Sequence, residues 1–347
     1  MNKKNPIALL VNDIHISKDN IPEFQKNWDE AIDICQRRGI QEIIIGGDLW
    51  QSRSAQPLDV LMAVRQAIIK ASNQDIYITI AEGNHCKVDQ ESILGYSHIF
   101  SEYPKVSVID DYIIIGLGDK VDLFVMSYFP EDGSFTKRLQ QLLAVDFRED
   151  RKNILYIHEG INGGLATPSE KELPASIFQP FDAVLVGHYH NRKKIPNTHI
   201  EYIGSSRQHN FGEDEEKGYT ILFEDGSYEF VKNQVNTRYK VISLDAQDLQ
   251  NKDIADIKTN SDVSYKLKAC VHCSSAESKT IDKQKLIELG FTKVEIATET
   301  TETAEIANHA LEHKFDKNGI KEEYTAFCAD KGISNVEMGL QYLDKIN

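Results

Sequence analysis

Glu42-Ile43-Ile44-Ile45-Gly46-Gly47-Asp48-Leu49-Trp50 is a strand-length apolar run that stops on two glycines and a carboxylate. Glu42 to Ile45 reads as a β-strand, because branched residues favour extended backbone. Asp48 is thereby delivered just past a strand end. The pattern recurs on both sides. Ile7 to Val11 leads to Asp13-Ile14-His15, and Ile76 to Ile80 leads to Gly83-Asn84-His85. Ile154 to Ile157 leads to His158-Glu159, and Ala183 to Val186 leads to Gly187-His188-Tyr189-His190. Strands are also expected at Tyr112–Leu117 and Leu123–Ser127. Asn20 to Arg38 has helical spacing, with Phe24, Trp28, Ile32 and Cys35 on one face, Asn20 as cap, Pro22 in the first turn and Gly39 as stop. Pro57 to Ser72 is a second helix. This β-α-β-α-β order implies a layered α/β fold with a largely parallel or mixed sheet, whose ligands gather at the carboxyl ends of the strands.

The 347 residues carry 39 Lys plus Arg against 54 Asp plus Glu, a net charge of −15. That balance argues against coating nucleic acid by bulk charge, though a local basic face or bound metal ions could still engage it. With 41% hydrophobic and 27% charged residues, the chain has enough apolar material for a core. No window approaches the roughly 18 apolar residues that span a bilayer. Five scattered cysteines read as reduced thiols, and the short apolar run before Asn12 is no secretory signal, so a cytoplasmic setting in a bacterial or phage-infected cell is expected. After Arg207 the texture changes. Tyr219–Phe223 and Tyr228–Lys232 form a hairpin around Asp225-Gly226, and a smaller α+β unit follows with strands at Tyr265–Cys270 and Lys293–Ile296 around a helix at Asp282–Leu289. The division expected is 1–235, 236–300 (a small α+β cap) and 301–347. In the last, Ile320, Tyr324, Phe327 and Cys328 share a helical face, and Ser334 with Glu337 makes a capping box.

Five of the eleven histidines lie immediately after apolar runs, the layout of a site built on loops held by a rigid sheet. Two divalent cations held roughly 3.5–4 Å apart need about four ligands each and a bridging group. Asp48 is a natural bridge. Asp13 and His15 leave one strand end together, His188 and His190 have the same spacing, Asn84 offers a neutral oxygen, and His158 completes the count. A mixed N/O set suits Mn, Fe or Zn better than Ca or Mg.

This order of blocks (D-x-H, G-D, G-N-H, H, G-H-x-H) resembles the calcineurin-like metallophosphoesterase family, with its sandwich of sheets flanked by helices. The resemblance implies that Asp13, His15, Asp48 and His190 bind one metal ion, and that Asp48, Asn84, His158 and His188 bind the other. His85 would then be the catalytic acid that protonates the leaving alkoxide. Within the family, Gly46-Gly47-Asp48-Leu49-Trp50 with Ser52-Arg53, and Tyr202-Ile203-Gly204-Ser205 followed by Phe211-Gly212-Glu213 and Lys217-Gly218, are similar to the SbcD-type double-strand-break nuclease branch, short phage-type members above all. The resemblance covers residues 7–235. It implies a DNA exo- or endonuclease in which water activated by two metal ions, Mn above all, attacks a phosphodiester. It also implies a homodimer, and an SbcC-like coiled-coil ATPase that the C-terminal helices bind.

Two positions depart from that pattern. Cys86 follows Gly83-Asn84-His85 where the family commonly has Asp or Glu, removing a carboxylate that would orient His85. Gln51 stands where many of these nucleases have a second histidine. These departures keep open a catalytically weak scaffold, beside a phosphoesterase for nucleotides or small compounds. Gln51, Arg53 and Arg192 are candidate substrate contacts, although a solvated loop arginine is as common. Lys193 and Lys194, with Arg192, form a basic cluster that could guide a DNA backbone, a solvated turn being nearly as common. His209, after Gly204-Ser205, is the one other histidine near the sheet end. Cys270-Val271-His272-Cys273 carries a strand cysteine rather than a metal clip, since positions three apart on a strand face opposite ways.

Overall fold

The computed structural model describes residues 4–89, 91–130, 133–165, 172–246 and 264–298, with ten further positions between 321 and 340. The chain divides into two compact units, one of Met1–Val241 with Ile257–Lys268 and the other of Ile242–Asp256 with Ala269–Asn347.

The first unit is built from two six-stranded sheets. The chain lays down β1 (Pro6–Val11), α1 (Ile21–Arg38), β2 (Glu42–Gly46), α2 (Leu58–Ser72), β3 (Tyr77–Ala81) and β4 (Val106–Ile109). It then crosses to β5 (Tyr112–Leu117), β6 (Val121–Met126), α3 (Ser134–Val145), β7 (Lys152–His158), β8 (Ala183–Gly187), β9 (Lys193–Lys194) and β10 (Ile200–Tyr202). It returns with β11 (Gly218–Phe223) and β12 (Tyr228–Lys232). The sheet orders are β12-β11-β1-β2-β3-β4 and β5-β6-β7-β8-β10-β9. β1 through β4 pair in parallel, as do β6, β7 and β8.

Alternation along the strands explains the layers. Ala8, Leu10 and Ile44 of the first sheet share one core with Leu123, Val125, Ile154 and Leu185 of the second. Their neighbours Leu9, Val11, Ile43 and Ile45 point the other way, onto α1 and α2. Leu155 and Ile157 likewise meet Phe135, Leu139 and Leu142 of α3. Strands buried on both faces read as continuous apolar runs, which is why the sequence revealed them. The layered α/β expectation is met.

Among these elements, four escaped the sequence reading. β4 and β10 are short, α3 follows a strand with no clear cap, and Lys193-Lys194, read as a basic cluster or turn, is the edge strand β9 paired to β10. Gly39 does stop α1, at φ 70 with its N–H turned back to the helix. Asn20 makes no capping bond to α1; its amide N–H donates to His15 O at 2.9 Å and its oxygen accepts from Ser17 N–H at 2.9 Å.

β13 (Arg238–Asp245), β14 (Tyr265–Cys273) and β15 (Phe291–Thr298) form a three-stranded sheet, with α4 (Lys283–Glu288) before β15. Ala269, Val271 and Cys273 are buried, while Cys270 and His272 share the opposite face. The expected C-terminal face and capping box involve Ile320 and Ser334, which lie outside the described residues. Among the described residues, no helix is long and apolar enough to cross a membrane.

Candidate metal centre

Register brings the chemistry together. Val11 pairs with Ile45, Gly46 with Ala81, and His158 with Gly187, so five strands end along one rim. The first two loops are zipped by main-chain bonds, Asp13 N to Gly47 O (3.2 Å), His15 N to Asp48 O (2.9 Å) and Ile16 N to Leu49 O (2.9 Å). Of the seven non-glycine residues with positive φ among the described residues, four are candidate ligands: Asp13 (48°), His15 (47°), Asp48 (48°) and His188 (92°). Such backbone costs about 1–3 kcal/mol per residue and is retained where it aims a side chain.

All seven candidate ligands converge. His15 Nε2 lies 3.5 Å from Asp48 Oδ2 and 3.9 Å from Asp13 Oδ1. His158 Nε2 is 3.3 Å from Asp48 Oδ2 and 3.8 Å from Asp13 Oδ1. His190 Nε2 is 3.8 Å from Asp13 Oδ1 and 3.2 Å from His15 Nε2. Asp13, His15 and His190 form one group able to hold a metal ion, and Asp13, Asp48 and His158 another. One end of the Asn84 amide lies 3.3 Å from His188 Nδ1, 3.3 Å from His158 Nε2 and 3.2 Å from Asp48 Oδ2, where its NH2 can donate to all three or its oxygen can face a cation, while the other end abuts Arg53. Lone pairs this crowded repel unless protons or cations lie among them, and these N and O donors fit transition-metal cations.

The electrostatics agree. Burial lowers His15 to about 3 although Asp48 opposes it, and burial with the neighbouring His158 lowers His188 to about 3. Both are thus neutral imidazoles, the metal-binding form. Burial also acts against a charged His158, but Asp48 and Asp13 outweigh it and push His158 up to about 9. Of the coupled carboxylates, Asp13 is raised by burial, whereas His158 and His15 hold Asp48 low in spite of burial. His158 therefore carries a proton that a divalent cation would displace on binding.

Gly47 makes this packing possible. It has φ 115, and a Cβ there would meet His158 Nδ1 at 2.3 Å. Gly47→Ala is expected to destabilise the fold by about 3 kcal/mol, from strain plus overpacking, and to displace His158. Thermal unfolding and metal uptake read the two effects, and an unaltered metal affinity would count against the packing role.

His85 is held by main chain and by Asp48. Its Nδ1 donates to the main-chain carbonyl of Gln51 at 2.8 Å, and its N–H donates to Asp48 Oδ1 at 2.8 Å. The orienting partner is thus backbone, independent of which side chain occupies position 51. His85 also groups with His15 and Asp48 closely enough to share an ion. Cys86 is fully buried behind it, its thiol pushed up by burial. The carboxylate nearby is Glu82, which accepts from Ser97 N at 3.0 Å and Ser97 Oγ at 3.1 Å.

Burial raises Glu82 to about 7, against the hydrogen bonds of Cys86 and Ser97 and the charge of Lys87. A raised carboxyl contributes stability that is complete below its ordinary value near 4.5 and is lost as pH rises through about 7. Glu82→Gln is therefore expected to flatten that decline and leave the protein more stable than the parent at pH about 8. Chemical denaturation across this window measures it; parallel curves for the two proteins would refute the assignment.

The candidate substrate contacts separate. Gln51 and Arg53 are exposed and line a cavity of about 300 Å³ over the centre, with His85 and His209. Arg192 is engaged: it donates to Ile203 O, Thr220 and Glu201 and lies over the Phe230 ring. It also borders a neighbouring groove of about 650 Å³ running past Tyr189 and Asn210. The sequence reading missed Glu213 as a site residue. Its Oε1 accepts from His190 Nδ1 at 2.8 Å, and the signal was present in the Phe211-Gly212-Glu213 block, read from sequence only for its resemblance.

No known family model matches the chain. Among solved structures, the chain is similar to nuclease MPE of Pseudomonas putida, at 13% identity over 63% of this chain and 84% of that one, with a TM-score of 0.28. It is also similar to a cold-active protein tyrosine phosphatase, at 14% identity over 66% of this chain and 81% of that one, with a TM-score of 0.31. At these scores neither likeness bears on function, and the metal centre stands on its own geometry.

Proposed function

We propose that the protein is a metal-dependent DNA phosphodiesterase, the nuclease subunit of an SbcCD-like assembly. The observation that carries this reading is the convergence of seven N and O donors, four of them on left-handed backbone, from five strand ends onto one rim. Asp13, His15, Asp48 and His190 would hold one cation, and Asp48, Asn84, His158 and His188 the other. Divalent ions, Mn above all, supply Lewis acidity and acidify water when bound. The chain's own residues do the rest. Asp48 spans the two sets, Arg53 sits beside Asn84 where it can pair with a phosphate oxygen, and His85 faces the cavity to donate a proton to the leaving oxygen. The same reading makes the protein a homodimer. In this reading, residues 236–300 cap the nuclease domain, and 301–347 bind the coiled-coil ATPase.

Purified protein should degrade linear duplex DNA with Mn and stop on chelation. Preferential hydrolysis of nucleotides or of a nitrophenyl phosphodiester, with DNA intact, would favour a small-substrate phosphoesterase. Two bound ions with no hydrolysis of either would favour the weak scaffold.

A further inference from the structure

The segment from Ser206 to Lys217 reaches back across the sequence to the first ligand loop. Four consecutive carbonyls of that loop accept from it. Asn12 O takes Ser206 N–H at 3.1 Å, and Asp13 O takes His209 Nε2–H at 2.8 Å. Ile14 O and His15 O both take the Arg207 guanidinium, at 3.0 and 3.4 Å. A carbonyl has no proton to give, so His209 must be the donor through Nε2. Its ring also stands edge-on to His15 at 5.2 Å. The same segment grips the last ligand loop. Glu213 accepts from His190 Nδ1 with one oxygen and from His209 N–H (3.0 Å) with the other, and fully buried Lys217 donates to His190 O at 2.7 Å.

These contacts fall on one ligand set. Asp13 and His15 sit on strained turns, and His190 needs its Nδ1 proton pinned for Nε2 to present a lone pair. The other set is braced from elsewhere, His158 by Gly46 O at 3.2 Å and Asn84 against His188. We propose that Arg207, His209 and Glu213 are positioning residues that set the affinity of the Asp13–His15–His190 cation site separately from that of its neighbour. This rests on the two-cation reading above. Removing such an outer partner typically weakens metal binding about 10–100-fold.

His209→Phe keeps a flat ring beside His15 and deletes the donor. His209→Gln returns an amide N–H near the position of Nε2. Glu213→Gln, which keeps an acceptor oxygen and loses the charge, gives a second route should the first variant fold poorly. Calorimetric titration with Mn, with electron paramagnetic resonance at partial loading, reads each site. The parent protein should bind two ions and show an exchange-coupled pair. His209→Phe should weaken one site by about tenfold or more, leave the other unchanged, and show isolated Mn(II); His209→Gln should recover both, and Glu213→Gln should weaken the same site. Undiminished binding at both sites, equal weakening of both, or failure of His209→Gln to rescue would overturn the positioning role. A parent protein that binds fewer than two ions would instead overturn the two-cation reading.

Discussion

Asp48→Asn is expected to abolish tight uptake of both cations and to slow hydrolysis by about a thousandfold or more, roughly 4 kcal/mol of barrier. The Asp48 carboxylate belongs to both proposed ligand sets. Its Oδ2 lies 3.5 Å from His15 Nε2 and 3.3 Å from His158 Nε2, and its Oδ1 accepts from His85 N at 2.8 Å. Asparagine preserves the volume but removes the charge that belongs to both ligand sets, and its amide protons would face the imidazoles. It also withdraws the carboxylate that does most to keep His158 charged. Elemental analysis after dialysis measures the ions, and circular dichroism confirms that the fold survives. A variant holding two ions with near-parental turnover would remove Asp48 from the bridging position.

His85→Ala should lower cleavage by about a hundredfold to ten-thousandfold with two ions still bound. The imidazole lines the cavity, and its Nδ1 proton is committed to Gln51 O, so Nε2 is the nitrogen left for the substrate. Because the partner is main chain, Gln51→Ala should leave His85 in place, and any loss of rate in that variant would report the side chain's own contact with substrate. The competing role for His85 is ligation, which its approach to His15 and Asp48 permits. Loss of one ion in His85→Ala would assign it there, and parental activity would remove it from the chemistry.

The scaffold was legible because apolar runs such as Ile43–Ile45 and Ile154–Ile157 are buried on both faces, and each ends on a small or polar residue. The candidate ligands were legible for the same reason: strand ends lie on one rim, so residues just past them must be neighbours. Other features had no local mark. Two equivalent sheets, with Ala8, Leu10 and Ile44 facing Leu123 and Ile154, cannot be told from one mixed sheet by periodicity alone. Cys86 looked like a lost orienting carboxylate. In the structure it lies in the core and bonds buried Glu82, while a backbone carbonyl orients His85.

Sequence by itself determined the layered α/β class and the residue types able to bind metal, since both follow from short-range alternation and from what comes directly after a strand. Only the tertiary structure decided that Arg192 is tied to Glu201, that Asn20 braces His15 rather than capping α1, and that Ser206 to Lys217 grips loops near 13 and 190. Those contacts join residues far apart along the chain, and a side chain's partner across such a distance is set by packing, which no local pattern records.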